Sequence, residues 1–352
     1  MADLLLAVTL ADVARVAGVS KMTVSNVINN KPGMKEGTRA RVQQAIERTG
    51  YVVNPAARAL AGRRSNLIGV LTPRLNWPFV SEVLHGASLT AEAAGLNLAI
   101  FTTASSPALE REQATLLRTL ADGVLLVIPS ADEHPIFGET VPVVTLGATG
   151  QRTVQVDNYA GAALATRHLL ELGHRRVAHV RGKHTALRDA TEREAGFCAS
   201  LHAAGVPVRP AYLMDGEFSE EGGERAARHL LSLPEPPTAI FAANDRSAIG
   251  VLRAAAALGR RVPHDLSVVG FDDIHAASVT DPPLTTIRQP LVQMGQRAAE
   301  VLIDLIRGAP PQNDHVVFPA TLVVRQSTAP PLPGPADSPA HPGPRWEVRV
   351  SP

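Results

Sequence analysis

The sequence predicts a small all-α helix-turn-helix domain, joined by a short hinge helix to a two-lobed α/β body with parallel sheets. Three observations carry this. Residues Val8 to Asn29 read VTLADVARVAGVSKMTVSNVIN, two short helical patterns separated by Gly18 and Val19. From Ser65 onward, near-continuous apolar runs alternate with amphipathic stretches, the pattern of parallel strands covered on both faces. Two such sets exceed what a single core holds, so the body divides into two subdomains.

Within the head, Thr9 is positioned as an N-cap, and Leu10, Val13, Ala14 and Ala17 follow at helical spacing. Ser20 caps a second helix starting near Lys21, with Val24, Val27 and Ile28 on its inner face. Its outer face carries Lys21, Met22, Thr23, Ser25, Asn26 and Asn29, and no acid. A solvated helix face normally mixes both signs of charge, whereas a face that meets phosphates and base edges lacks carboxylates. Charge partition agrees. Residues 1–64 hold ten Lys or Arg against four acidic residues, a net +6, while the whole chain is +1 and the remainder therefore −5. That asymmetry places a polyanion at the N-terminal end. A third helix is expected over Glu36 to Thr49, with Val42, Ala45 and Ile46 as its stripe and Gly50 as its stop. NPAARALAG (Asn54 to Gly62) suggests a short helix that is marginal in isolation, flanked by Arg58, Arg63 and Arg64.

In the body, LIGVL, LNLAIF, GVLLVIP and VPVVTL read as buried strands, with RRVAHVRG, TAIFAAN and LSVVGFDD as a second set. Helical stretches such as Val80 to Ala94 and Leu109 to Ala121 lie between them. Open α/β sheets bind ligands beyond the carboxyl ends of their strands, which selects the TPRLNWPF loop, Asp245, Asp272 and Asp273. An aspartate at a strand end can also simply cap the next helix; Asp245 and Asp273 are read as structural in this way. His174 and His179 have no metal-ligand partner at useful spacing. No phosphate-cradling glycine motif, nucleophile elbow or metal cluster is present, so no catalytic residue, cofactor or metal is expected and an enzyme is the least favoured reading. MADLLLAV has no basic n-region or long apolar core, and no window reaches membrane-spanning length. Cys198 is the only cysteine, read as a small buried hydrophobe, so a reducing cytoplasm is the expected location. The Pro- and Gly-dense tail, residues 327–352, is expected to be disordered.

These blocks together resemble the LacI/GalR family of transcriptional regulators, from about Val8 to Gln326. The likeness is carried by the VTLADVARVAGVSKMTVSNVIN head, GYVVNPAARALAGRRSNLIGVL, VDNYAGA, LGHRRVAHV, AIFAANDRSAIGVL, DLSVVGFDD and PPLTTIRQP, in that order. The resemblance implies a helix-turn-helix domain over 8–53, a hinge helix and linker over 54–64, and an effector-binding and dimerisation domain over 65–326. That last domain resembles periplasmic sugar-binding proteins, with lobe 1 at about 65–160 and 290–326 and lobe 2 at about 161–289. It further implies that Lys21, Met22 and Asn26 read base edges, while Thr9, Ser20, Thr23, Ser25, Asn29 and Asn54 contact phosphate. Ala57 and Leu60 belong to the hinge, and Leu60 takes the position of a minor-groove wedge. In the cleft, Arg193, Asn244, Asp272 and Gln289 match ligand-contact positions, with Trp77, Phe79 and Phe218 as apolar walls. Gly147 and Thr145 depart from the pattern, because an Asp or another polar ligand residue often follows the strand VPVVTL. The implied protein is a repressor of a carbohydrate-utilisation operon, switched by a small sugar or related metabolite. Without leucine heptads in the tail it would be a homodimer on a pseudo-palindromic double-stranded DNA operator. The alternative is a regulator of the same family that answers to a non-sugar ligand or a protein co-repressor.

Overall fold

The computed structural model describes residues 8–28, 31–51, 64–129, 135–138, 141–147, 150, 152–182, 188–310 and 315–332. Asn29 and the hinge residues Asn54, Ala57 and Leu60 lie outside them. The chain separates into two units, one ending at Ser65 and the other beginning at Asn66.

In the first unit, helices α1 (Leu10–Ala17), α2 (Lys21–Ile28) and α3 (Glu36–Thr49) enclose a small core. Val13, Val24 and Val42 are fully buried, and Ala14, Ala17, Val27 and Ala45 close around them. Thr9 opens α1 with an extended backbone. Its hydroxyl and its amide both donate to Asp12 in the first turn, at 2.7 and 3.0 Å. Both α1 and α3 stop at a glycine in the left-handed region, Gly18 and Gly50, a conformation that costs other residues strain.

The second unit begins with strands β1 (Leu67–Thr72), β2 (Asn97–Thr102), β3 (Gly123–Val127), β4 (Val143–Leu146) and β5 (Thr153–Val156). Helices α4 (Pro78–Ala93) and α5 (Pro107–Leu120) connect the first three. The chain then builds α6 (Asn158–Glu171), β6 (Val177–Arg181), α7 (Arg188–Ala203), β7 (Leu213–Asp215), α8 (Glu220–Leu231), β8 (Ala239–Ala242), α9 (Asp245–Ala257), β9 (Ser267–Asp272), α10 (His275–Val279) and β10 (Thr285–Arg288). It closes with α11 (Leu291–Ile306), β11 (His315–Phe318) and β12 (Thr321–Val323). Two six-stranded sheets result, ordered β11-β5-β4-β3-β1-β2 in lobe 1 and β12-β10-β9-β8-β6-β7 in lobe 2. Every pairing is parallel except β10 with β12.

In lobe 1, α4 and α11 approach so closely that glycine is required at both contacts. A Cβ on Gly86 would lie 2.0 Å from the Val292 carbonyl oxygen, and one on Gly295 would lie 1.9 Å from that of Val83.

The sheets correct the expected lobe boundaries in two ways. The return to lobe 1 comprises only α11 and β11, because β12 crosses back and pairs with β10 in lobe 2. The chain therefore passes between lobes three times, after β5, β10 and β11. The tail, expected to be disordered from residue 327, is instead packed in lobe 2 through its first residues. Ser327 is fully buried; its hydroxyl donates to the Val268 carbonyl (2.6 Å) and accepts from the Thr285 amide (2.8 Å). Hydrogen bonds to β9 and β10 thus override a Pro-rich composition there. Residues 333–352 lie outside the described ones.

Candidate functional site: recognition helix and interlobe cleft

On α2 the buried residues are Val24 and Val27, which turns Lys21 and Met22 outward; Met22 is 67 % exposed. The helix has no acid in its first turn. Thr23, Ser25 and Asn26 are half-buried, and the Asn26 Oδ1 has no hydrogen-bond partner among the described residues. Ser20 accepts from the Thr23 amide (3.1 Å), and the two hydroxyls share a bond of 2.9 Å. Of the expected phosphate contacts, Ser20 thus also acts as a helix cap, and the Thr9 hydroxyl proton is committed to Asp12.

In the body, Arg193 on α7 is 4 % exposed and organises a polar cluster at the carboxyl ends of the lobe 2 strands. Its Nε donates to Asn158 Oδ1 (2.8 Å) and its Nη1 to the Ala243 carbonyl (2.5 Å). Nη1 also lies 3.7 Å from Asp272 Oδ1. The guanidinium carbon rests 3.8 Å from the centre of the Phe271 ring and 5.9 Å from that of Phe218. Gln289, in the second crossing, donates from Nε2 to Asp272 Oδ1 (2.6 Å). Its Oε1 is buried and has no hydrogen-bond partner among the described residues. Asn244 caps α9 by accepting from the Ser247 amide (2.9 Å), and its Nδ2 donates to the Phe218 carbonyl (3.2 Å), which fixes the aromatic loop. The Phe218 ring lies against Gly182, where a Cβ would come within 2.2 Å of it.

Backbone strain collects at this edge. Ile128, Phe218, Asp272 and Asp273 have φ values of 52, 52, 116 and 58°. A β-branched residue such as Ile128 is a genuine outlier in that region, and such outliers cluster where a site demands them.

Charge is equally concentrated. Burial pushes the Asp272 carboxyl up to about 6 against the pull of Arg193. Burial, reinforced by Asp272, also raises Asp245 well above the ordinary carboxylate range. Asp245 accepts from the Ile274 amide (2.9 Å) and the Thr286 hydroxyl (2.5 Å), tying α9 to the loop after β9 and to β10. Asp273 pairs with Arg288 and Arg325, each at 2.6 Å, in keeping with the structural role read for it. Beside the cluster lies an open cavity of about 590 Å³ that shares Asp272 and Gln289 as walls.

Arg193, Phe218, Asn244, Asp272 and Gln289 therefore come together. Trp77 and Phe79 do not join them: both are half-buried at the start of α4, pack on the lobe 1 core, and stay out of the cavity lining.

Two residues of the cluster had escaped notice. Asn158 follows β5, a four-residue strand whose pattern was too short to register. Asp189, half-buried on α7, accepts from Asn158 Nδ2 (3.1 Å), and burial raises its carboxyl against the pull of Arg193. At Gly147 the backbone φ of 70° favours glycine, and a Cβ there would lie in ordinary contact, 3.5 Å, with Asp189 Oδ2, so a lobe 2 carboxylate borders the space after β4. Thr145 is buried within β4.

The two histidines are core residues. His174 is bonded to Thr238, Ser267 and the Ala329 carbonyl at 2.9 to 3.0 Å, and His179 is stacked between Phe197 and Phe241. Cys198 is half-buried, which pushes its thiol up. Among the described residues no cluster of side chains could hold a metal ion, and no helix is long and apolar enough to cross a membrane.

A basic three-helix head followed by a two-lobed body with a polar interlobe cluster defines a DNA-binding regulator that senses a small molecule. Comparison with known proteins specifies the class further. Residues 9–54 match the bacterial regulatory proteins of the lacI family, and residues 166–328 match the periplasmic binding protein-like domain. The transcriptional repressor CytR of Escherichia coli is 34 % identical, over 92 % of this chain and 96 % of its own. A complex of the regulator CelR with cellobiose has a TM-score of 0.69 at 33 % identity, covering 91 % of this chain and 99 % of the other. The lac repressor dimer bound to operator and the anti-inducer ONPF has a TM-score of 0.81 at 31 % identity, covering 92 % and 99 %. The chain belongs to the LacI family of bacterial transcriptional regulators; its relatives are regulators and repressors, not enzymes.

Proposed function

We propose that two copies of this chain repress carbohydrate-utilisation genes in the cytoplasm from a pseudo-palindromic operator, and that a small sugar between the lobes switches operator affinity. The observation that carries this reading is the Arg193–Asp272–Gln289 cluster. Carboxylate, carboxamide and guanidinium groups pair with hydroxyls in defined directions, and the Phe218 ring offers an apolar face. Because Gln289 lies on a crossing between lobes, a ligand that competes for its bond to Asp272 acts on the lobe arrangement directly. Such a ligand shifts the equilibrium only as far as it binds one arrangement more tightly, and DNA feels the same coupling.

In the head, Lys21, Met22 and Asn26 are assigned to base edges. Lys21 donates to guanine O6 and N7, Met22 meets a thymine methyl and Asn26 reads adenine. Ser20, Thr23, Ser25, Asn29 and Asn54 set the register on phosphate, while Ala57 and Leu60 enter the minor groove where two hinges meet. Similar proteins that include a ribose operon repressor and the regulator CelR in complex with cellobiose support a sugar effector.

Selection from a randomised DNA library with purified protein, repeated in the presence of a panel of sugars, tests the whole reading. The expected result is a two-fold symmetric site whose occupancy changes with one sugar. An asymmetric site, or a symmetric one indifferent to every sugar, overturns the dimer or the effector respectively. Leu60→Ala should weaken specific binding far more than non-specific binding, and equal losses would remove the wedge.

A further inference from the structure

The polar row between the lobes is unbalanced in charge. Asp189 and Asp272 share the guanidinium of Arg193, which lies 3.7 Å from Asp272 and is linked to Asp189 through Asn158. Neighbouring charges are committed elsewhere: Arg188 to Glu192, Arg181 to Glu194 and Asp215, and Asp273 to Arg288 and Arg325. Burial raises both the Asp189 and the Asp272 carboxyl, as it does for an anion short of counter-charge. Acceptors are in surplus as well. Among the described residues neither Asp189 Oδ2 nor Asp272 Oδ2 receives a hydrogen bond, and the Gln289 Oε1, on a side chain 4 % exposed, has no partner. Space lies beside Asp189. The point that a Cβ on Gly147 would occupy is 3.5 Å from Asp189 Oδ2 and 3.4 Å from Ile128 Cγ1. Apart from the glycine's own chain neighbours, no other atom of the described residues comes within 4 Å of that point. A ligand atom there touches the carboxylate, against a wall to which lobe 1 contributes no side chain at Gly147.

We infer that the effector is an amino sugar, its ring on the Arg193–Asp272–Gln289 row and its ammonium group against Asp189, in the space that Gly147 leaves open. The inference rests on the sugar reading above and deepens it. An ammonium supplies both things the row lacks, a positive charge and several N–H donors. A neutral hydroxyl supplies a donor and leaves the charge uncompensated. Asp189 is thus a specificity-determining residue: it selects for charge at one ring position, while Arg193, Asp272 and Gln289 hold the ring. Gly147 belongs to lobe 1 and Asp189 to lobe 2. Occupancy of the space between them is therefore felt by the same lobe equilibrium that sets operator affinity.

Titration calorimetry of the full chain with glucosamine, galactosamine and mannosamine, with their parent hexoses and with their N-acetyl derivatives, tests it. The N-acetyl forms keep the nitrogen and remove its charge. One amino sugar should bind roughly tenfold more tightly than both its parent and its N-acetyl form, as a charge-assisted bond in a desolvated site requires. Asp189→Asn keeps the shape and drops the charge; it should bring that affinity ratio close to one, with binding of the parent hexose little changed. Gly147→Asn fills the open space with a residue that tolerates left-handed backbone, and should lower the ratio in the same way. Circular dichroism melts establish that each variant is folded, and the wild-type ratio is read without either. A parent hexose or N-acetyl form that binds as tightly as its amino sugar, or a ratio unmoved by the folded variants, overturns the amine while leaving the sugar reading intact. Absence of binding by all of these compounds also overturns it; the sugar reading falls as well only if the library selection finds no responsive sugar.

Discussion

At Asp272 burial and charge pull in opposite directions. Desolvation holds the carboxyl near 6, while Arg193 and the Gln289 amide favour its ionised form and Asp189 opposes it. Because the pKa is raised above the ordinary 3.8, the carboxyl's favourable contribution to folding is complete below that value and is lost as pH rises through about 6. Asp272→Asn should therefore raise the thermal midpoint at pH 7.5, with the margin vanishing below about pH 4, as followed by calorimetric melts. Sugar binding should move the other way. The wild type should lose affinity between pH 7 and 5 as the acceptor takes a proton, whereas Asp272→Asn should bind at least tenfold more weakly at pH 7.5, with a flat profile. Local sequence could suggest Asp272, since it ends an apolar strand. It could not reveal Asn158 and Asp189, which lie 31 positions apart and meet through tertiary packing alone.

Among the elements, those with long apolar runs or clear stops were legible. Strands β1 to β4 and β6 announce themselves by composition, and α3 ends where Gly50 says it should. Strands β7 and β12 have three residues and β11 four, too few for a period to emerge, and each lies at or next to the edge of its sheet. The α4–α11 contact was equally invisible, because a glycine in a helical pattern does not name the helix it will touch. Gly295→Ala should push the Val83 carbonyl away and cost about 1–3 kcal/mol. For a body of this size that means a fall in Tm of roughly 2–12 °C, visible in a thermal melt. On α2, Met22→Ala should relax base preference at one operator position, as read by library selection, with little change in overall stability because the side chain is 67 % exposed.

For the whole molecule, the decisive feature is that neither lobe is continuous in sequence. Alternating strands and helices showed two α/β units, but β12 lies in the stretch expected to return to lobe 1, and the packed residues 327–329 that follow it lie where proline content argued for disorder. Side-chain and backbone bonds from Ser327 to Val268 and Thr285, and from Ala329 to His174 and Ser267, hold that segment in place. A chain ending at Gln326 should thus be less stable than one ending at Leu332 by about 2–5 kcal/mol in urea unfolding, since several buried partners are orphaned together. The interleaving also sets an order of events during synthesis. The head has all three of its helices once the first fifty or so residues have left the ribosome. Lobe 1 must wait for β11 and lobe 2 for β12, both within the last forty residues. A polysome thus carries a finished DNA-binding head long before either half of the sensor is complete, and a message cut short before β11 yields a head without a sensor.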